Sequence, residues 1–148
     1  MIEKPERKLD TIIDAGADII TIHQESTTRL YSCIEKIKSR GVKAGVVLSP
    51  ATNEDTLKYV LDKIDMILLM TINPGEAGPG FHEELLTKIK NVRELIGDRD
   101  IDLEVDGGID NTNIAKCKEA GVNVFVSGGY VFKGDIAEKI KTLREALK

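Results

Sequence analysis

Met66-Ile67-Leu68-Leu69-Met70-Thr71-Ile72 forms an almost unbroken apolar run near the middle of the chain. Apolar and polar residues do not alternate in it, so a strand built from this run would be buried on both faces. Strands of that kind are typical of parallel sheets whose connections run through covering helices. The run therefore predicts an internal strand of a parallel sheet over residues 66–72.

Outward from this run, the chain alternates between short apolar runs and longer charged segments with helical periodicity. The other predicted strands cover residues 19–22, 44–48, 103–105 and 124–126. The predicted helices cover residues 5–15, 29–40, 54–63, 85–96, 110–120 and 136–147. Alternation of helices and strands through short loops predicts an α/β fold with about five parallel strands and six helices.

Glycine-containing loops follow three of the predicted strands, at Asn73-Pro74-Gly75, Asp106-Gly107-Gly108 and Ser127-Gly128-Gly129. Functional loops at the carboxyl ends of strands occur in doubly wound sheets and in barrels, so periodicity leaves both folds open. No G-x-G-x-x-G follows the first predicted strand, which argues against a dinucleotide-binding site.

Composition and net charge argue against some classes of binding partner. Apolar residues make up 41% of the 148 residues, which is typical of a globular domain and not of a disordered chain. The net charge of −4 gives no electrostatic reason to expect nucleic acid or an anionic membrane as a partner. We find no apolar run long enough to span a membrane and no secretory h-region, so we expect a cytoplasmic protein.

Several motifs occur in an order and spacing that resemble the pentulose- and hexulose-phosphate 3-epimerases, of which ribulose-phosphate 3-epimerase is the commonest. The motifs are Ile22-His23-Gln24-Glu25, Lys43-Ala44-Gly45, Leu69-Met70-Thr71-Ile72-Asn73-Pro74-Gly75, Glu104-Val105-Asp106-Gly107-Gly108-Ile109 and Val126-Ser127-Gly128-Gly129. The resemblance covers essentially the whole chain, and it implies a (β/α)8 TIM barrel.

The resemblance also implies that this chain is part of such a barrel. Met1 to Glu6 is similar to the family from the end of its third strand onward. We therefore expect residues 1–148 to form a single partial TIM-barrel domain, from the end of strand 3 through helix 8 of the family fold. Strands one, two and most of three would then be absent.

The implied reaction is the inversion of a carbon next to a ketone, through an enediolate that a divalent metal (Zn, Fe, Mn or Co) stabilises. The family uses two His and two Asp as ligands, and the two Asp double as acid and base. Asp106 matches one of these Asp residues, so the resemblance implies that it is catalytic and metal-binding. The other three ligands would lie in the absent strands, so we expect this chain alone to be inactive.

The resemblance further implies a sugar-phosphate substrate, either ribulose 5-phosphate or allulose 6-phosphate. Backbone N–H groups of glycine loops can bind its phosphate, although tight turns need glycine regardless of a ligand. Met70 matches a residue that lines the active site, although a core methionine fits the position almost as well. The predicted substrate and phosphate residues are Met70, Gly75, Glu76, Ala77, Gly78, Gly107, Gly108, Gly128 and Gly129.

Two loops depart from the family pattern. Where the family usually has P-G-F-G-G-Q-x-F, this chain has Pro74-Gly75-Glu76-Ala77-Gly78-Pro79-Gly80-Phe81. Glu76 places a carboxylate where the family has an aromatic residue, and a carboxylate close to a phosphate is unfavourable unless it points away. Ser127-Gly128-Gly129 likewise replaces the usual G-S-A pattern, so the identity of the substrate stays open.

Alternative functions remain at this point. The chain could be another phosphate-binding barrel, such as a thiamin-phosphate-synthase-like protein, or a non-catalytic fragment stabilised by self-association. Five parallel strands have two free edges, and apolar edges are templates for association, so we expect a homo-oligomer. We interpret His23, at the end of the first predicted strand, as a structural or supporting residue.

Overall fold

A computed structural model of the protein describes residues 1–76 and 80–148. Its five strands are β1 (Ile19–His23), β2 (Lys43–Leu48), β3 (Met66–Met70), β4 (Asp102–Asp106) and β5 (Val124–Val126). Its six α-helices are α1 (Leu9–Asp14), α2 (Leu30–Ser39), α3 (Leu85–Ile96), α4 (Ile114–Glu119), α5 (Gly128–Val131) and α6 (Ile136–Ala146). Each predicted strand is confirmed to within two residues at either end.

All five strands are parallel and lie in the order β1-β2-β3-β4-β5. A doubly wound sheet reverses its strand order at a switch point, and this sheet does not reverse. Because each crossover moves one strand along in the same sense and is right-handed, the helices collect on one face. The sheet therefore has the topology of an arc of a barrel.

The main core lies between the sheet and these helices. Alternate residues of the strands face the helices, and the largest of them are fully buried. They are Val46, Leu48, Ile67, Leu69, Leu103 and Val105. The apolar stripes of α2 and α3 pack against them through Leu30, Ile34, Ile37, Ile89, Val92 and Ile96.

The opposite, concave face of the sheet carries a second apolar cluster made of Val47, Leu68 and Met70. From the sequence, we predict Val46, Leu48, Leu68 and Met70 as alternating side chains that face the barrel interior, and for Val46 and Leu48 this prediction is wrong. β2 is apolar on both faces, so its sequence does not reveal which face is which. The curved sheet keeps Val47, Leu68 and Met70 at most 8% exposed.

The number of α-helices agrees with the prediction, but three of the segments differ. The segment predicted over residues 5–15 begins with the 3-10 helix Pro5–Arg7, and α1 starts only at Leu9. Residues 54–63 form the 3-10 helices Glu54–Tyr59 and Leu61–Lys63 rather than an α-helix. Their buried residues come in pairs three apart, Leu57 with Val60 and Leu61 with Ile64, which suits three residues per turn. The short helix α5 was not predicted, because two glycines open it.

Among the described residues, the outer edges of β1 and β5 have no strand partner. A groove of about 270 Å³ runs along the β1 edge, and it is lined mainly by apolar side chains, including Met1, Ile2 and Ile19. These three residues are 40–70% exposed. The β1 edge is thus both unpaired and apolar.

Candidate active site

Asp106 ends β4 on the concave face, in register with Met70 of β3 and Val126 of β5. Its side chain is partly buried, and burial raises the pKa of its carboxyl above the ordinary value of 3.8. The physical cause is that a charged carboxylate loses hydration there without gaining a charged partner. A carboxylate with a raised pKa is suited to accept a proton and to return it.

A groove of about 1130 Å³ opens at the carboxyl ends of β3, β4 and β5. Six of the predicted site residues line it together: Glu76, Asp106, Gly107, Gly108, Gly128 and Gly129. Ile72, Phe81, Tyr130, Lys116 and Lys133 also contribute to its walls. The two glycine pairs, which lie about twenty residues apart in the sequence, therefore meet at one site beside Asp106.

Two of the predicted residues lie outside this groove, and two others fall outside the described residues. Met70 is buried in the concave cluster and lies beside Asp106 in the sheet, but it does not line this groove. Gly75 is exposed and also lies outside the groove lining. Ala77 and Gly78 fall outside the described residues, as does Pro79.

The turn after Asp106 requires both of its glycines. Gly107 has φ +126° and Gly108 has φ +63°, conformations that residues with a side chain rarely adopt. A Cβ at Gly107 would lie 2.6 Å from Cγ1 of Ile72, and a Cβ at Gly108 would lie 2.9 Å from the backbone nitrogen of Phe81. These glycines let the β4–α4 turn pack directly against the segment that follows β3.

Sequence reasoning missed the side chains that hold this turn. The hydroxyl of Thr71, which is fully buried, donates its one proton to the carbonyl of Gly107 and lies 3.0 Å from the carbonyl oxygen of Asp106, which also accepts from the backbone N–H of Thr71. Asn113 donates to the carbonyl of Gly108 over 2.8 Å, and Ser127 donates to the carbonyl of Ile109 over 2.7 Å. Thr71 is a polar residue directly after a buried strand, and this could have marked it as a residue with a role. Its partners lie at the end of a different strand, so the local sequence does not identify them.

Glu104 is a second carboxylate that sequence reasoning left without a role. It lies two residues before Asp106 on the same concave face of β4, beside Leu68 and Val124. Burial, and then the negative charges of Asp106 and Asp102, raise the pKa of the Glu104 carboxyl. The strand alternation i, i+2, i+4 could have placed these three acids on one face.

Glu76 lies at the rim of the groove, on the segment after β3. Its backbone nitrogen donates to the carbonyl of Asn73 over 3.1 Å, and the Asn73 side-chain amide donates to its carboxylate over 3.3 Å. Glu76 is exposed, so water screens its charge. The structure therefore places this carboxylate near the site, held by a local turn.

His23 ends β1 on the concave face, and its Nδ1 lies 3.4 Å from a carboxylate oxygen of Glu25. The other oxygen of Glu25 accepts from the backbone nitrogen of Ser49 over 2.8 Å and from the hydroxyl of Thr52. These contacts join the carboxyl ends of β1 and β2. They support the interpretation of His23 as a structural residue, and His23 lines the groove at the β1 edge rather than the groove with Asp106.

The residues around Asp106 do not form a metal centre by themselves. Within residues 1–76 and 80–148, no group of three or more His, Cys, Asp or Glu side chains is placed to hold an ion. A tightly bound divalent metal needs several protein ligands, and Asp106 supplies one carboxylate. The divalent metal thus stays a prediction from the resemblance.

Comparison with known proteins decides the family. The sequence profile of the Ribulose-phosphate 3 epimerase family matches residues 1–132. The chain belongs to the ribulose-phosphate 3-epimerase family. A chloroplastic ribulose-5-phosphate-3-epimerase of Arabidopsis thaliana is 42% identical over 97% of this chain, and a ribulose-phosphate 3-epimerase of Bacillus subtilis is 40% identical over 97%. The chain spans 53% of the Arabidopsis relative and 68% of the Bacillus relative.

Solved structures show the fold of this ribulose-phosphate 3-epimerase family member. A 3-hexulose-6-phosphate synthase superimposes with a TM-score of 0.77 at 23% identity, covering 100% of this chain and 70% of that chain. A 3-keto-L-gulonate-6-phosphate decarboxylase from Vibrio cholerae gives 0.77 at 19% identity, covering 99% and 68%. The five-stranded sheet is therefore part of a TIM barrel, as the resemblance implied.

Proposed function

We propose that this chain supplies one acid/base carboxylate and the phosphate-binding loops of a ketose-phosphate 3-epimerase. The observation that carries the proposal is the groove that brings Asp106, Gly107–Gly108 and Gly128–Gly129 together at the carboxyl ends of the strands. Active sites of TIM barrels lie at this end of the barrel. Membership of the ribulose-phosphate 3-epimerase family supports the same reaction.

In the proposed reaction, the Asp106 carboxylate removes the proton from the carbon next to the ketone of the sugar. The electron pair of the broken C–H bond moves into an enediolate, and Asp106 becomes protonated. Returning a proton to the opposite face inverts the carbon, and this requires a second acid that is not assigned within residues 1–76 and 80–148. In the reverse direction, Asp106 is the acid that delivers the proton.

The proposed substrate is ribulose 5-phosphate or allulose 6-phosphate, and its phosphate would lie on the glycine loops. Backbone N–H groups bind phosphate without a side chain between them and the ligand, which glycine permits. The proximity of Gly107–Gly108 to Gly128–Gly129 supports this placement. Lys133 in the same wall adds a positive charge. The family match does not favour the thiamin-phosphate-synthase-like alternative.

A hybrid protein tests the proposal. The part of the Bacillus subtilis relative that precedes the matched region would be joined to residue 1 of this chain, and turnover of both sugar phosphates would be measured with added Zn²⁺, Mn²⁺ or Fe²⁺. We expect turnover by the hybrid and none by the chain alone. A folded hybrid without turnover would contradict the proposal and favour a non-catalytic fragment. Turnover by the chain alone would contradict the expectation that further ligands are needed.

Glu76 gives a prediction about affinity. Replacing Glu76 with Phe in the hybrid should tighten binding of the sugar phosphate, because it removes a negative charge near the phosphate loops. The expected gain is about threefold in Kd, since an exposed charge contributes under about 1 kcal/mol. Calorimetric titration measures it. Glu76→Gln removes the charge but keeps the shape, so it separates the two effects. Glu94→Gln, at an exposed position in α3, is the control. Unchanged or weaker binding by Glu76→Phe would contradict the prediction.

We also propose that the chain self-associates through its free β1 edge. An unpaired strand presents backbone donors and acceptors to another chain, and Met1, Ile2 and Ile19 add exposed apolar surface there. Two copies would supply ten strands, which does not suit a regular eight-stranded closure. The proposed assembly is therefore an open sheet packed against a second copy, or a swapped or aggregated oligomer, and not a composite barrel.

Sedimentation velocity at micromolar concentration tests the assembly. We expect wild-type chain to sediment as a dimer or larger oligomer, and Ile19→Lys to shift it toward the monomer because a charge at an edge opposes pairing. Tyr59→Lys is the matched control, because Tyr59 is 79% exposed but lies on a 3-10 helix away from the strands. A wild-type monomer that unfolds cooperatively would contradict the proposal.

Localisation stays a prediction from the sequence. In the part of the chain that the structure describes, no helix combines the length and the apolar character needed to cross a bilayer. We propose a cytoplasmic location on the basis of the composition and of the bacterial relatives. The net charge of −4 is the basis for expecting no nucleic-acid partner.

A further inference from the structure

Thr71 directly follows β3 and contacts the turn that carries Asp106. Its backbone nitrogen donates to the carbonyl oxygen of Asp106 over 2.8 Å, and its hydroxyl lies 3.0 Å from the same oxygen. The hydroxyl also donates to the carbonyl of Gly107. Since Thr71 is 0% exposed, water cannot replace these contacts. One residue thus fixes two consecutive peptide units next to the proposed acid/base.

The contacts of Thr71 are part of a continuous set. Asn113 holds the carbonyl of Gly108 and Ser127 holds the carbonyl of Ile109, so Thr71, Asn113 and Ser127 together bind four consecutive carbonyls from Asp106 to Ile109. In a planar trans peptide, the C=O and the following N–H point in opposite directions. Holding the carbonyl of Gly107 therefore also fixes the direction of the N–H of Gly108, which lines the groove.

We propose that Thr71 is a positioning residue of the active site: its backbone N–H holds the carbonyl of Asp106, and its hydroxyl fixes the Gly107–Gly108 peptide that directly follows. The proposal rests on the proposed function. It assigns to the hydroxyl a role that the methyl group of Thr71 cannot perform. When the hydroxyl is lost, the N–H bond to the Asp106 carbonyl remains, but the Gly107–Gly108 peptide next to Asp106 is released.

The test uses two replacements of Thr71 in the hybrid protein. Thr71→Val keeps the shape but removes the hydroxyl, and we expect kcat to fall at least tenfold and KM for the sugar phosphate to rise. Thr71→Ser retains the hydroxyl, and we expect it to restore kcat to within about threefold of wild type. Thr142→Val is the matched control, because it removes a hydroxyl bonded to the Glu138 carbonyl in α6. This control should leave kcat and KM unchanged.

A second measurement separates this proposal from the proposed function. Backbone order parameters of Gly107 and Gly108 in the chain itself, measured by 15N NMR relaxation, should fall in Thr71→Val, recover in Thr71→Ser and stay unchanged in Thr142→Val. A hybrid without turnover would contradict the proposed function, and the order parameters would still decide whether Thr71 holds the turn. Unchanged order parameters, or an active hybrid whose kcat is the same in Thr71→Val, would overturn the proposal.

Discussion

Replacing Asp106 with Asn in the hybrid barrel should lower kcat at least a hundredfold. Asn has the shape of Asp but cannot accept the proton from the substrate carbon. A positioned general acid or base contributes about 10²- to 10⁴-fold to rate. Steady-state kinetics in both reaction directions measure the effect, and we expect the loss in both, because the proposed function makes Asp106 the base in one direction and the acid in the other.

The pH profile of the hybrid would test the same assignment independently. Burial raises the pKa of Asp106 above 3.8, so the active carboxylate form is lost as pH falls through a value higher than that of an ordinary Asp. We expect kcat/KM to decrease on the acid side of that raised pKa. Asp102→Asn is the matched control. Asp102 is an acid on the same face of β4, and its carboxylate accepts a hydrogen bond from the side-chain amide of Asn123. If Asp102→Asn and Asp106→Asn lost equal activity, the assignment to Asp106 would be wrong.

Replacing Gly107 with Ala should destabilise the chain by about 3 kcal/mol or more. The new Cβ would meet Ile72 Cγ1 at 2.6 Å, Ile72 N at 2.8 Å and Thr71 Oγ1 at 2.9 Å, and its φ of +126° is strained for any residue with a side chain. Backbone strain of this kind costs about 1–3 kcal/mol, and a clash with a neighbouring backbone adds to it. Chemical denaturation followed by circular dichroism measures the change.

Gly128→Ala is the control for that experiment. Nothing lies within 4 Å of a Cβ at Gly128, and the residue begins the short helix α5 without a positive φ. Alanine there should leave the free energy of unfolding unchanged or raise it by about 0.4–1 kcal/mol, because it reduces the conformational entropy of the unfolded chain. Equal losses of stability in Gly107→Ala and Gly128→Ala would show that the close approach of Ile72 to Gly107 does not cause the destabilisation.

Asp106 shows how much of the site a local sequence pattern can predict. A short apolar strand followed by Asp-Gly-Gly predicts that the carboxylate stands at the carboxyl end of a parallel strand, and the structure confirms this. The pattern does not reveal the partners of the turn. Thr71 contacts the carbonyls of Asp106 and Gly107 across 35 and 36 residues of sequence. Contacts at that separation follow from strand register, which no local pattern encodes.

Three properties can be predicted from the amino-acid sequence: the class of the fold, the positions of its five strands and the family to which the chain is similar. They follow from apolar runs, helical periodicity and motif order, all of which are local. Only packing in the folded protein shows which face of β2 is concave, because Val46 and Val47 are equally apolar and contact with the helices distinguishes them. The tertiary structure also decided that two distant glycine pairs share one groove with Asp106, because parallel strands in sequential order bring their carboxyl ends to one side of the sheet.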